Sequence, residues 1–315
     1  MRAVCQNHPL FTSFLRKTKS GYLEVERENQ TEGNVRLRNQ RTLARAVSLE
    51  GFGFWTGQDV RLTFAPARVG GGIRFIRTDL PEAAPLPARI EFRAAKPRQT
   101  SLARGVVRVD MIEHVMAALA GAQIDNCDIL ISGPEMPGFD GSSLPFFHAL
   151  CEAGTVEQPA RQPVRVIRRS CRFGDETSGI EIAPVSDGVP VFSYALRYAS
   201  PVGEQFFCCA LSGETFEREV ASARTFLLHR EAEQLLALGL CGRVSERDVL
   251  VFGEKGPIGN TLRFPDEPAR HKVLDMIGDF ALCGVPIIGR ISATRTGHQQ
   301  NADALAEILE MTECE

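Results

Sequence analysis

The ten residues Arg270-His271-Lys272-Val273-Leu274-Asp275-Met276-Ile277-Gly278-Asp279 hold the densest set of chemically useful side chains in the sequence. On a helix His271 and Asp275 stand at i and i+4 and share a face, with Asp279 one turn further along it. A neutral imidazole and a carboxylate at that spacing can ligate one zinc ion. The same spacing also makes a plain exposed ion pair, worth roughly 0.2–0.5 kcal/mol, so the pattern alone decides nothing. Glu113-His114 opens a second helical stretch. Asp110 three residues before Glu113 fits a capping box. Equally, His114 fits a third ligand, with Glu113 a general base beside a Lewis acid, as in metal-assisted amide hydrolysis. His298 follows Thr296-Gly297 beyond an apolar strand, Ile291-Ser292-Ala293-Thr294, a place from which it projects into a site or lies on the surface. Thr225, in Ala223-Arg224-Thr225-Phe226, has a hydroxyl that either donates to an oxyanion or merely caps and packs. No H-E-x-x-H is present, so the common metalloprotease pattern is absent.

The elements that must position these residues come in two similar series. Arg61-Leu62-Thr63-Phe64-Ala65-Pro66 precedes a glycine turn at 70–72 and the strand Ile73-Arg74-Phe75-Ile76; Gly179-Ile180-Glu181-Ile182-Ala183-Pro184 precedes a turn at Asp187-Gly188 and the strand Val191-Phe192-Ser193-Tyr194-Ala195-Leu196. Both read as strand, turn, strand with period-2 patterning. A helix follows in each half, Asp110-Met111-Ile112 to Ala118-Leu119-Ala120-Gly121 in one and Asp275-Met276-Ile277 to Ala281-Leu282-Cys283-Gly284 in the other. Each then meets an apolar strand, Cys127-Asp128-Ile129-Leu130-Ile131 and Pro286-Ile287-Ile288-Gly289. Strands grouped before helices predict an α+β fold of two similar domains from a duplication, each a mainly antiparallel sheet with helices on one face. The polar, proline-bearing stretch Glu157–Pro163 is the expected linker, giving a first domain at 41–160 and a second at 164–315.

Composition excludes several classes. A length of 315 residues with 43% hydrophobic and 24% charged residues suits a globular chain of one large or two modest domains. The net charge of −3 argues against a general nucleic-acid binder, and no window approaches the roughly 18 apolar residues of a membrane span. Nine cysteines without a C-x-x-C pair, several inside apolar runs (Cys127, Cys151, Cys283), favour a reducing compartment and a cytoplasmic location over a disulfide framework or a cysteine-ligated zinc. Residues 1–40 are basic, their first acidic residue being Glu24, and lack the apolar stretch of a secretory signal; they are expected to be a disordered extension outside the fold.

Taken in order, the motifs resemble the UDP-3-O-acyl-N-acetylglucosamine deacetylase family. The match runs from about Gln40 to Glu307 through Gln40-Arg41-Thr42-Leu43, Gly51-Phe52-Gly53 with Thr56-Gly57, Ile112-Glu113-His114-Val115-Met116-Ala117-Ala118-Leu119, Asp140-Gly141-Ser142-Ser143, Ala223-Arg224-Thr225-Phe226, Leu262-Arg263-Phe264, Arg270-His271-Lys272 to Gly278-Asp279, and Gly297-His298. The resemblance implies zinc held by His114, His271 and Asp275, Glu113 as general base and His298 as general acid oriented by Asp279. It further implies that Thr225 polarises the substrate carbonyl, that Lys272 meets the diphosphate, and that Phe226 and its neighbours line a passage for the acyl chain. The implied substrate is UDP-3-O-acyl-GlcNAc, the implied site lies between two helix layers, and the expected state is a monomer.

Three places depart from the family pattern. Gly53-Phe54-Trp55-Thr56-Gly57 lacks the histidine of Gly-x-Gly-Leu-His, Gly242-Arg243-Val244-Ser245-Glu246-Arg247 replaces a Gly-Gly-Ser loop, and Ala199-Ser200-Pro201 replaces Asn-His-Pro. All lie outside the implied metal set and bear on acyl and sugar preference. Two other classes compete: a non-catalytic nucleotide-sugar-binding paralogue, against which the retention of every ligand and of Glu113 argues, and a zinc amidase for a different acylated amino-sugar.

Overall fold

The computed structural model describes residues 37–175 and 177–314, together with the strand backbones of Leu15–Lys17 and Leu23–Val25. The disordered extension expected at 1–40 falls mostly outside the described residues. The two short strands within it pair with each other, and Leu23–Val25 pairs with Cys171–Gly174.

Two sheets form the frame. The first runs Val47–Phe52, Asp59–Pro66, Cys127–Ile131, Ile73–Arg77, Leu86–Pro87. In the second the order is Leu15–Lys17, Leu23–Val25, Cys171–Gly174, Gly179–Ala183, Arg290–Thr294, Val191–Arg197, Glu204–Ala210. In both, a late strand enters between the second and third of four consecutive ones, antiparallel to the second and parallel to the third. The remaining neighbours are antiparallel. The chain is thus α+β with mainly antiparallel sheets, as its sequence indicates.

The late strand of the second sheet is Arg290–Thr294, not the expected 286–289. Ile287–Ile288 instead pairs in parallel with Arg165–Val166 in a small separate sheet, and Gly289 lets the chain pass close over Ile167, where a Cβ would lie 2.5 Å from that side chain. A short apolar run carries no sign of which partner it takes. The stretch expected as a linker is also largely strand. Thr155–Arg161 pairs with Asn39–Leu43, its register slipping between Glu157 and Arg161 around Pro159, which has no N–H to give.

Six helices lie among the described residues: α1 (Glu113–Gly121), α2 (Leu144–Ala153), α3 (Gly213–Glu219), α4 (His229–Ala237), α5 (Glu267–Phe280) and α6 (His298–Met311). Val115, Met116, Ala117, Ala118 and Leu119 leave α1 without a polar face, and it is buried on all sides. Pro268 fits the first turn of α5, where its missing N–H costs nothing. That helix ends through the 3₁₀ turn Ala281–Cys283, which Gly284 closes at φ 79°. α5 lies against Val191–Arg197 and Glu204–Ala210 on one side and α1 on the other, while α2 packs on α1 and Val47–Phe52.

α1 and α5 touch backbone to backbone. A Cβ on Gly278 would lie 2.0 Å from the carbonyl oxygen of Glu113 and 2.8 Å from its carbon. Gly278→Ala must therefore push the helices apart, at an expected cost of about 1–3 kcal/mol, the usual scale for overpacking a core. Chemical denaturation reads this as a lowered midpoint; an unchanged midpoint would mean that the two helices part freely here.

Candidate active site and metal centre

The α1–α5 crossing brings together side chains that lie far apart in sequence. His271, Asp275 and Asp279 share one face of α5, and the first turn of α1 presents Glu113 and His114 against it. His271 Nε2 is 3.3 Å and His114 Nε2 3.7 Å from Asp275 Oδ1, and the two imidazoles stand edge to face at 5.1 Å. The three ligand atoms all lie within 4.8 Å of one another. Tetrahedral zinc, with bonds of about 2.0–2.1 Å, needs donors roughly 3.3 Å apart, so the trio fits a metal ion. The donor chemistry fits as well. His271 Nδ1 donates to the Ala223 carbonyl at 3.0 Å, which leaves Nε2 with its lone pair towards Asp275. Burial, then the neighbouring His271, pushes His114 down to about 3, so its ring is neutral. Burial works against the Asp275 carboxylate, but Lys272 and the histidines more than offset it and hold its pKa well below the usual range.

Beside this trio lies an acid–base pair. His298 starts α6, its Nε2 4.0 Å from Glu113 Oε1 and its Nδ1 donating to Asp279 Oδ2 at 2.8 Å. Burial alone would lower the His298 pKa. The Asp279 charge and hydrogen bond outweigh it, with help from Asp275 and Glu113, and lift it to about 9. Glu113 moves up to about 7, chiefly because it is buried, although His298 pulls the other way. The capping box expected of Asp110 does not form. That residue ends the strand Val107–Asp110, held by Lys96 and Arg108, while Glu113 Oε2 accepts instead from the Thr100 N–H.

These groups open into a cavity of about 950 Å³ whose walls include Thr225, Phe226, Lys272, Tyr198 and Trp55. Thr225 is half-buried, its N–H on the Gly141 carbonyl at 2.8 Å and its own carbonyl accepting from Leu250 at 3.0 Å. Gly141 takes φ 77°, and a Cβ there would meet Thr225 at 2.9 Å. Phe226 stacks edge-on with Tyr198 and Phe252. Lys272 Nζ donates to Asp275 Oδ2 at 2.8 Å, leaving Oδ1 to the histidines. Eight of the nine side chains singled out in the sequence thus line this cavity, and the ninth, Asp279, sits behind His298.

Comparison with known proteins gives the arrangement its family. The model of the LpxC family, described as UDP-3-O-acyl N-acetylglycosamine deacetylase, matches residues 40–310. The chain belongs to this family. A relative named UDP-3-O-acyl-N-acetylglucosamine deacetylase from Anaeromyxobacter sp. (strain Fw109-5) is 42% identical over 275 residues, covering 86% of this chain and 88% of its own. Proteins of the same name from Myxococcus xanthus (strain DK1622) and Brucella melitensis biotype 2 (strain ATCC 23457) are each 38% identical, covering 88% and 86% of this chain and 88% and 95% of their own.

Several residues that build this deacetylase-family site received no role from the sequence. Arg224 and Glu267, 4% and 0% exposed, form an ion pair at 2.8 Å; Glu267 also accepts from the Arg224 and Arg263 main-chain N–H groups. This pair ties the loop that offers the Ala223 carbonyl to the start of α5, and so aims His271. Ser143 Oγ donates to the His114 carbonyl at 2.8 Å. Thr100 and Asn301 both donate to Asp279. Arg224 and Ser143 stood inside recognised motifs, whereas Thr100 and Asn301 had no signal. Two of the three departures from the family pattern prove to be neighbours: Cys241 N–H donates to the Trp55 carbonyl, and Arg243 donates to the Gly57 carbonyl and Asp59 while covering the Phe52 ring at 4.3 Å.

Glu267→Gln leaves the buried Arg224 guanidinium without its countercharge, and should cost about 3–5 kcal/mol of stability. A denaturation midpoint close to that of the wild type would show that Arg224 is neutralised by other means.

Proposed function

We propose that this chain is a zinc-dependent deacetylase that hydrolyses the N-acetyl group of UDP-3-O-acyl-N-acetylglucosamine to acetate and UDP-3-O-acyl-glucosamine, in lipid A biosynthesis. The observation that carries this reading is one cavity holding both a His-His-Asp metal trio and, beside it, a carboxylate and an imidazole 4.0 Å apart. Names of relatives at 38–42% identity support it. So do the common strand order and sense of the two sheets, which favour two similar domains from a duplication with the site between their helix layers. The enzyme acts in the cytoplasm, as a monomer, on a soluble nucleotide-sugar head.

His114, His271 and Asp275 hold the zinc, which when bound supplies a Lewis acid at the scissile amide. Glu113 Oε1, the oxygen left free by the Thr100 N–H, takes the proton of the attacking water. Thr225 donates its hydroxyl to the oxyanion that develops on the acetyl carbonyl. As the C–N bond breaks, His298 gives the Nε2 proton to the leaving amine, and Asp279 holds the ring in place through Nδ1. Lys272 meets the diphosphate, and the apolar wall at Phe226 takes the acyl chain.

His271→Ala should lose the metal while keeping a cooperative fold, since the hydrophobic core runs through both halves and does not depend on this side chain; elemental analysis giving one zinc per chain in that variant would remove the assignment. Activity requires Glu113 ionised and His298 protonated, so kcat/KM must fall both as pH drops through the first pKa and as it rises through the second. Without a cation these stand at about 7 and about 9. A bound cation favours the carboxylate and opposes the imidazolium, so both limbs of the loaded enzyme should lie lower. Glu113→Gln and His298→Ala should keep the metal, lose about 10²–10⁴-fold in rate, and each abolish one limb of the acetate-release profile. A His298→Ala enzyme with the full bell intact would pass the acid role to Glu113.

A further inference from the structure

We propose that Thr100 is a positioning residue for the acid–base pair, aligning Glu113 directly and His298 through Asp279. The proposal rests on the roles given above to Glu113 and His298. All three polar groups of Thr100 are committed to the site. Its N–H donates to Glu113 Oε2 at 2.9 Å, its carbonyl accepts from the Ile112 N–H just before α1 at 3.2 Å, and its Oγ1 donates to Asp279 Oδ1 at 2.5 Å. Thr100 is 2% exposed, so water does not compete for these bonds.

Each bond removes a freedom that the chemistry cannot tolerate. With Oε2 held, Glu113 keeps Oε1 on the His298 side. With Oδ1 held, Asp279 turns only Oδ2 to α6, where His298 Nδ1 and Asn301 Nδ2 both donate at 2.8 Å. Without the hydroxyl, the Asp279 carboxylate is held through Oδ2 alone and can pivot about that oxygen, so the imidazole that leans on it loses its bearing. Thr100 is itself held on a firm base. It leads into Ser101–Arg104, which pairs with Val107–Asp110, the strand that runs into α1. The hydroxyl therefore reaches from the residue whose N–H holds the base to the helix whose Asp279 steers the acid, and sets the two against each other. Nothing in the sequence around Thr100 signals this, because its partner lies 179 residues away.

Thr100→Val removes the hydroxyl but keeps the N–H and the branched shape; Thr100→Ser keeps the hydroxyl. Thr100→Ala replaces the valine variant if that does not fold. In the zinc-loaded protein Thr100→Val should retain its metal and a KM within about twofold of the wild type, while kcat falls about 10–100-fold, the scale for losing a supporting hydrogen bond at a metal site. Thr100→Ser should recover most of kcat. A second readout does not depend on turnover: the downfield imidazole N–H resonance of His298, assigned by its loss in His298→Ala, should shift or broaden in Thr100→Val and return in Thr100→Ser. The proposal is overturned if that resonance is unchanged in Thr100→Val, if serine fails to restore it, or if kcat falls only together with metal content. Should the wild type release no acetate from UDP-3-O-acyl-N-acetylglucosamine, the functional reading fails, and the resonance still decides whether Thr100 positions His298.

Discussion

The backbone contact between α1 and α5 is the constraint on which the rest of the molecule turns. Two helices approach this closely only where one presents no side chain, and Gly278 is the residue that permits it. α1 is seated at its other end in the same manner, by Gly121 against the Phe216 ring, where a Cβ would lie 2.3 Å away. A nine-residue helix without a polar stripe has little stability of its own. Held at both ends and from below by Ser143, it becomes a rigid mount for Glu113 and His114. The candidate metal trio takes one side chain from this helix and two from α5, so the spacing of its donor atoms is the spacing of the crossing.

Bringing so many ionisable groups into a buried space has an electrostatic cost, which the fold offsets by giving each a partner. Asp275 is set between Lys272 and two imidazoles. Asp279 accepts from Thr100, His298 and Asn301. Glu267, wholly buried, is saturated by Arg224 and two main-chain N–H groups. The outcome is a division of protonation states. His114 is held neutral by burial and by its fellow imidazole, the state a metal ligand would need, while His298, in the same cavity, is held protonated by its carboxylate. Identical side chains thereby take opposite charge states.

The substrate side of the cavity is made differently. α4 and the parallel strands Phe226–Leu228 and Leu250–Gly253 form a small βαβ unit that raises one wall. Arg98 reaches from the other half of the chain to Glu231 on α4, 2.9 Å away. The 53–57 loop and the 242–247 segment, both unlike the family pattern, lean on each other through Gly57 and Arg243. A change in one is therefore felt by the other, and the 53–57 loop lines the cavity through Phe54 and Trp55.

Much of this was legible in the residues themselves. The i, i+4, i+8 series His271, Asp275, Asp279 declares a shared helix face because helical geometry is local, and period-2 runs declare strands for the same reason. Glu113-His114 and Gly297-His298 were legible as members of an ordered set of motifs. What stayed hidden depends on partners remote in sequence. Asp110 looked like a helix cap and serves as a strand end, since Lys96 and Arg108 claim its carboxylate. The apolar run at 286–289 took a different neighbour, and Pro159 lies in a bulged strand where a linker was expected. Thr100, Asn301 and Glu267 are ordinary residues in the sequence, and only packing sets them beside Asp279 and Arg224. The sequence by itself determined which side chains share a helix face or stand at a strand end, because spacing along a helix or strand needs no partner. Tertiary structure alone decided their protonation and aim, because burial and long-range hydrogen bonds exist only once α1 and α5 have met.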